Sequence, residues 1–314
     1  MRESSAPTTP TRGAGSTTAA GAKAAHPEAA GPESRGFTPV TFAGLVLDRP
    51  HIMGVVNVTP DSFSDGGDAL DPAAAIDRGL ALHAAGAAIV DVGGESTRPG
   101  AEPVPVDEEL ARVLPVIQEL ARSAVIVSID TRRAVVMKAA IEAGATIVND
   151  VTALAGDPAS LPLMARSQAS VILMHMQGDP RTMQLAPHYD DVVRDVCGWL
   201  GERIAACEAA GIARERLVID PGIGFGKTLE HNLAILAHLE AFARLGRPIV
   251  LGVSRKSFIA RLSRGEPPKA RLPGSLAAGL FAVLQGVHIL RVHDVAETRQ
   301  ALAVWYAIAD NRLS

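Results

Sequence analysis

The chain has 314 residues, 47% hydrophobic and 20% charged, with a formal net charge of −4. That composition is ordinary for a soluble globular chain, and the length allows one large domain or two small ones. The acidic balance and the lack of a basic run give no case for nucleic-acid binding, and no stretch approaches the roughly 18 apolar residues of a transmembrane helix.

Of the first 36 residues, 27 are Ala, Gly, Ser, Thr or Pro and none is aromatic. Such a segment buries too little apolar surface to order itself, so a disordered tail is expected. It lacks the apolar core of a secretory signal, and Glu3, Glu28 and Glu33 oppose an organelle transit peptide. Phe37 to Asp48 alternates around Gly44 and predicts a small β-hairpin. From His51 onward short apolar runs recur, each followed by a polar loop and a helical stretch. Strands are predicted at Ile52–Val56, Ala88–Val92, Val125–Ile129, Thr146–Val148, Ser170–Met174, Leu217–Ile219, Ile249–Gly252 and Ile289–Val292. Helices are predicted at Pro72–Ala85, Asp107–Ala121, Arg133–Ala143, Ala159–Arg166, Asp191–Ala210, Leu229–Ala243, Gly274–Gln285 and Val295–Ala309. Val192, Val196, Leu200 and Ile204 make a helical stripe, and Gly86, Gly144, Gly211 and Gly286 stand where left-handed helix caps are common. Cys197 and Cys207 lie ten apart in a predicted helix. They suit neither a disulfide framework nor a zinc site, and point to a reducing cytoplasm.

Eight strand–helix pairs are the count for an α/β fold of the (β/α)8 TIM barrel type, here with an N-terminal β-hairpin and a disordered N-terminal tail. The chain from Phe37 onward also fits the usual length of about 250 residues. An open doubly wound sheet is the alternative, although nothing marks a strand-order reversal. Either gives one domain over 37–314 and a tail over 1–36.

The stretch Leu217 to Thr228 carries the strongest local signal. A short buried strand delivers Asp220 to its end, Pro221 stops the ladder, and three glycines let backbone approach a ligand. Two phosphate motifs fail on spacing. A P-loop needs glycine at 221, which is Pro221, and a dinucleotide loop needs one at 227, which is Lys227. A plain tight turn is the competing reading.

Polar residues end nearly every strand: Asn57, Asp91, Asp130, Asn149, His175, Asp220, then Ser254-Arg255-Lys256-Ser257 and Arg291-Val292-His293. Each alone reads as a helix cap. As a set they do not, because Lys256 and Arg291 carry the wrong charge for a helix start. Asp130, Asn149 and Asp220 suit a flat, nitrogen-rich heterocycle. Thr97, Arg98, Arg291 and His293 suit an anion such as phosphate. Asn57 can offer an oxygen to Mg²⁺ with phosphate and water completing the shell. The Gly-rich loops after the first two strands read as mobile. No Ser–His–Asp set and no nucleophilic cysteine argues for a covalent intermediate.

The segments Asn57–Gly67, Asp91–Gly100, Ser128–Thr131, Met174–Gln184, Asp220–Lys227, Ser254–Ser257 and Arg291–Val295 resemble, in order, the motifs of the dihydropteroate synthase family. The resemblance implies a barrel enzyme that joins 6-hydroxymethyl-7,8-dihydropterin pyrophosphate to p-aminobenzoate in folate biosynthesis. By matching position it implies a pterin site of Asp130, Asn149, Asp220 and Lys256, with Asp130, Asp220 and Lys256 catalytic. It implies pyrophosphate contacts from Asn57, Thr97, Arg98, Arg291 and His293, with Mg²⁺ at Asn57. Phe63, Pro99, Phe225 and Ser257 would wall the p-aminobenzoate pocket, which sulfonamides occupy. The family also implies a homodimer through late barrel helices. Two rivals remain at this point: a corrinoid-linked methyltransferase on a similar pterin barrel, and a pterin-binding paralogue without activity.

Overall fold

Apolar runs such as Ile52–Val56 have no polar face, so they form strands only where both faces are covered. The computed structural model describes residues 40–59, 71–96 and 100–311. The tail, Phe37, Phe63, Thr97, Arg98 and Pro99 lie outside the described residues. A two-stranded hairpin, β1 (Thr41–Phe42) and β2 (Leu45–Val46), comes first among the described residues. There follow β3 (His51–Asn57), α1 (Pro72–Ala84), β4 (Ile89–Gly93), α2 (Val106–Arg122), β5 (Ile126–Asp130) and α3 (Ala134–Glu142). Next come β6 (Ile147–Asp150), α4 (Ser160–Arg166), β7 (Ser170–Met174), α5 (Val192–Ala209), β8 (Leu217–Asp220), α6 (Leu229–Ala237) and α7 (Glu240–Ala243). The chain ends with β9 (Val250–Leu251), α8 (Ser257–Leu262), α9 (Leu272–Leu284), β10 (Ile289–Val292) and α10 (Val295–Asn311).

The large sheet runs β8-β7-β6-β5-β4-β3-β10-β9, with every pair parallel. A parallel bridge from Ile219 to Ile249 joins the two ends and closes the ring. The architecture is therefore the (β/α)8 barrel and not the open doubly wound sheet.

Two cores follow from the strand period of two. Outward residues such as Ile52, Val90, Val127, Val148, Val171 and Leu290 pack under the helices. Inward residues Met53, Ile89, Ile147, Ile172, Val218, Val250 and Ile289 fill the bottom of the barrel, where Phe42 and Leu47 of the hairpin region plug it. Two positions further up, the inward side chains turn polar on several strands, at Asp91, Asn149, Asp220 and Arg291. That switch, from an apolar floor to a polar cup, places the site.

The sequence-predicted elements stand with shifts of a residue or two, with two corrections. The helix predicted over Leu229–Ala243 is broken into α6 and α7. Gln285 intrudes there: its amide accepts from Leu239 N and donates to Leu236 O. His238, at φ −132°, is the break. The short α8 was not predicted, since six residues are too few to show a period. The Val192, Val196, Leu200, Ile204 stripe is fully inside, and Gly86, Gly144, Gly211 and Gly286 all have positive φ.

Candidate active site

Asp220 ends β8 with one carboxylate oxygen committed to the protein: Oδ1 accepts from Gly222 N at 2.7 Å. Only glycine allows this turn. Gly222 has φ +71°, and a Cβ there would lie 1.9 Å from the carbonyl oxygen of His175. The glycine loop thus lies flat on the segment after β7. Gln184 Nε2 donates to Gly224 O and Tyr189 OH to Gly226 O, both at 2.7 Å. Burial pushes the Asp220 carboxyl above its ordinary range, against the pull of Gly222 N–H and Lys256.

Lys227, which in the sequence served only to exclude a phosphate loop, is buried behind this wall. Its ammonium contacts His175 Nδ1 at 2.9 Å and donates to Phe225 O at 3.0 Å. Burial pushes the lysine down to about 7, with Asp220 pulling the other way. Burial and Lys227 together push His175 down to about 3. The histidine is therefore neutral, and its Nδ1 accepts.

Across the cup, Arg291 reaches inward from β10. Its Nε donates to Asp91 Oδ2 at 2.7 Å and its Nη2 to Asp130 Oδ2 at 2.6 Å. Asn149 Nδ2 donates to the same Asp91 oxygen at 3.2 Å. Arg291 was expected among the anion donors, and its guanidinium stands on two carboxylates. Burial pushes Asp130 up to about 7, opposed by Arg291 and reinforced by Asp91. Asp91 is the residue the sequence undervalued. It lies mid-strand and fully buried, not at the strand end. No cap geometry explains Asp130, because the residue before α3 is Arg133.

Asp130, Asn149, Asp220, Lys256 and Arg291 line one cavity. Val151, Met174, Ile223 and Phe225 give it apolar walls. Lys256 Nζ sits 4.1 Å from the Phe225 ring centroid, a cation–π contact. Ser257 follows it, exposed at the start of α8. His293 lies beside Ser254, whose Oγ accepts its backbone N–H and stands 3.0 Å from Nδ1. Asn57 ends β3 at the same rim. A Cβ on Gly93 would fall 3.9 Å from Asn57 Oδ1 and 3.8 Å from Asp130 Oδ2, so glycine leaves room between them.

A second ionic network, unseen in the sequence, anchors the base of the segment after β4. Glu95 accepts from Arg132 Nη2 at 2.9 Å, from Arg133 Nη2 and from Val104 N. Buried Glu109 accepts from Thr131 Oγ1 at 2.7 Å and Arg133 Nη1 at 2.8 Å. The signal available was Arg132-Arg133 directly after Asp130-Thr131. Among the described residues no group of three His, Cys, Asp or Glu forms a metal cage, and no helix is long and apolar enough to cross a membrane.

Residues 53–293 match the family described as pterin binding enzyme. The chain is 50% identical over 261 residues to the dihydropteroate synthase of Escherichia coli K12, covering 83% of this chain and 92% of that one. Among solved structures, Xanthomonas albilineans dihydropteroate synthase with 4-aminobenzoic acid superposes with a TM-score of 0.80 at 52% identity, covering 85% of this chain and 96% of that one. The enzyme from the same organism in complex with 7,8-dihydropteroate gives 0.76 at 49% identity, covering 84% and 95%.

Proposed function

The chain belongs to the dihydropteroate synthases of the pterin binding enzyme family, and we propose from its geometry which residues carry that reaction. It is a transferase, condensing 6-hydroxymethyl-7,8-dihydropterin pyrophosphate with p-aminobenzoate to give 7,8-dihydropteroate and pyrophosphate. The observation that carries the assignment of residues is the convergence of Asp130, Asn149, Asp220, Lys256 and Arg291 on one apolar-walled cavity. Flat walls take the ring, and the buried polar groups take its edges.

In this reading Asp130, Asn149 and Asp220 accept from the ring N–H groups. Lys256, held over Phe225, donates to the ring edge. The carbon–oxygen bond to pyrophosphate breaks first. The methylene carbon is left as a cation delocalised into the heterocycle, and the two carboxylates stabilise that charge as it develops. The neutral aniline nitrogen attacks the methylene carbon, forms the new carbon–nitrogen bond, and releases a proton to solvent or the departing pyrophosphate. Phe225, Ser257, Phe63 and Pro99 hold the aniline ring. His293, Arg291, Thr97 and Arg98 hold the pyrophosphate.

Asn57 offers a single neutral oxygen, a donor set that fits Mg²⁺ arriving with the pyrophosphate, which keeps most of its water and phosphate ligands. There the ion would neutralise charge on the leaving group. Two further assignments belong to this reading. The pterin-binding domain runs from 37 to 314, and free Cys197 and Cys207 suit a reducing cytoplasm. A homodimer is the assembly proposed: Phe281 and Leu284 of α9 and Val304 and Ile308 of α10 are about half or more exposed. Light scattering at twice the 32.7 kDa chain mass would support it, and a monomer would refute it.

A pyrophosphate-release assay tests the whole. Release that needs both substrates and Mg²⁺ and yields dihydropteroate is expected. Pterin binding without release would identify a binding-only paralogue, and methyl transfer to a corrinoid would identify the other rival.

A further inference from the structure

Asp91 is the buried charge that this account leaves without a task. It faces the barrel interior from the middle of β4, fully shielded from solvent. Its cross-strand neighbours in register are Val55 on β3 and Ser128 on β5. Val55 shows that an apolar side chain fits this layer, so packing alone does not call for a carboxylate. A buried carboxylate is expensive unless hydrogen-bonded. The partners that Asp91 does have are two residues lining the cavity above. Oδ2 alone takes both bonds, from Arg291 Nε and from Asn149 Nδ2.

The chemistry of that oxygen dictates orientation. A carboxylate accepts and does not donate, so the Asn149 amide must turn its NH₂ toward Asp91. The amide oxygen is then the group left for the cavity. Likewise Arg291 spends Nε on Asp91, which aims Nη2 at Asp130. We propose that Asp91 is a positioning residue of the pterin site: its Oδ2 fixes Asn149 as an acceptor toward the heterocycle and fixes where the Arg291 guanidinium stands. The proposal rests on the reading of this cavity as the pterin site. Its consequence is specificity, because a ring that donates at Asn149 is favoured over one that accepts there.

Two substitutions separate orientation from mere charge. Asp91→Ala removes the acceptor, and Asn149 is free to flip. Asp91→Asn keeps an oxygen in the place of Oδ2 and puts its NH₂ in the place of Oδ1, a buried atom with no hydrogen-bond partner among the described residues. The probe is 6-hydroxymethylpterin, unreactive and lacking pyrophosphate, titrated calorimetrically into the full chain. Asp91→Ala should weaken binding at least about tenfold, the scale of a lost buried acceptor. Asp91→Asn should stay within about threefold, with the KM for p-aminobenzoate within about twofold. In an Asn149→Ala background, Asp91→Ala should cost at most about a third of its single-variant factor. Should Asp91→Ala fail to fold, Asp91→Ser, too short to serve both partners, carries the same expectation. A tenfold loss in Asp91→Asn, or unchanged binding in the truncated variant, overturns the proposal, as does full additivity with Asn149→Ala. No binding by the parent chain overturns the reading of the cavity, and the proposal with it.

Discussion

Gly222→Ala should damage both stability and pterin binding, and the geometry sets how much. The residue sits at φ +71°, a conformation that costs an L side chain about 1–2 kcal/mol. The added Cβ would also fall 1.9 Å from the His175 carbonyl oxygen, a backbone atom that cannot swing aside. The loop must shift by about an ångström or more, which breaks the 2.7 Å bond from Gly222 N to Asp220 Oδ1. Losing a buried hydrogen bond to a charged group adds about 2–3 kcal/mol. The sum is about 3–5 kcal/mol, or a melting temperature lower by roughly 6 to 15 °C for a chain of this size. Gly286→Ala is the control. Its φ of +86° imposes the same conformational cost, but nothing lies within 4 Å of the new Cβ. It should lose only about 2–6 °C and bind 6-hydroxymethylpterin like the parent, whereas Gly222→Ala should bind at least about tenfold more weakly. Thermal melts and titration calorimetry on both variants decide it. Equal losses in the two would refute the claim that the loop is pinned against His175.

Three further outcomes are expected. Asp220→Asn keeps its oxygen on Gly222 N, so the new NH₂ replaces the acceptor facing the ring; pterin affinity by calorimetry should fall by roughly 30- to 1,000-fold. His175, pushed down to about 3 from 6.5, binds a proton more readily in the unfolded chain, so stability should erode as pH falls from about 6.5 toward 3. His175→Asn, which keeps an acceptor for Lys227, should lose that dependence in melts across pH. Deleting residues 1–36 should leave the melting temperature and turnover nearly unchanged, since their composition buries little; a loss of several degrees would contradict this.

The barrel was legible because its signals are local and redundant. Eight apolar runs, each with a polar residue at the same end, survive errors of one or two residues at any boundary. Asp130, Asn149, Asp220 and Lys256, which line one cavity, could be proposed from sequence because they end strands or follow them at once. Asp91 drew no role in sequence because its partners are distant: Arg291 is 200 residues away and Asn149 is 58. Lys227 was missed for a related reason. In sequence it reads as a solvated loop lysine, and only the packing of His175 and Tyr189 over it shows that it is buried. The break between α6 and α7 depends on Gln285, from the far side of β9, and no window on Leu229–Ala243 contains that residue.

Burial explains why two carboxyls of the cup, Asp130 and Asp220, titrate high, and yields a last test. Asp91, Asp130 and Asp220 are buried around one shared guanidinium, with Lys256 nearby. Burial raises Asp130 to about 7, and Asp91, Asp150 and Glu109 add to it while Arg291 opposes. A carboxyl with a folded value above its 3.8 in the unfolded chain binds more protons when folded. By linkage its contribution to stability is full below about 3.8 and is lost as pH rises through about 7. Above that pH the protein carries an ionised Asp130 at a cost in stability. On the proposed reading that cost serves the reaction, which would develop positive charge on a ring bound beside Asp130. Asp130→Asn mimics the protonated acid. At pH 8 it should therefore melt above the parent, the difference shrinking toward pH 4, while its kcat falls by about 100-fold or more, the scale of one electrostatic contact to a transition state. In the parent, kcat/KM should rise through about pH 7 as Asp130 ionises in the free enzyme, and Asp130→Asn should lack that limb. A variant that is both less stable at pH 8 and unaltered in its pH profile would show that Asp130 is held for structure, and that the developing charge is met elsewhere.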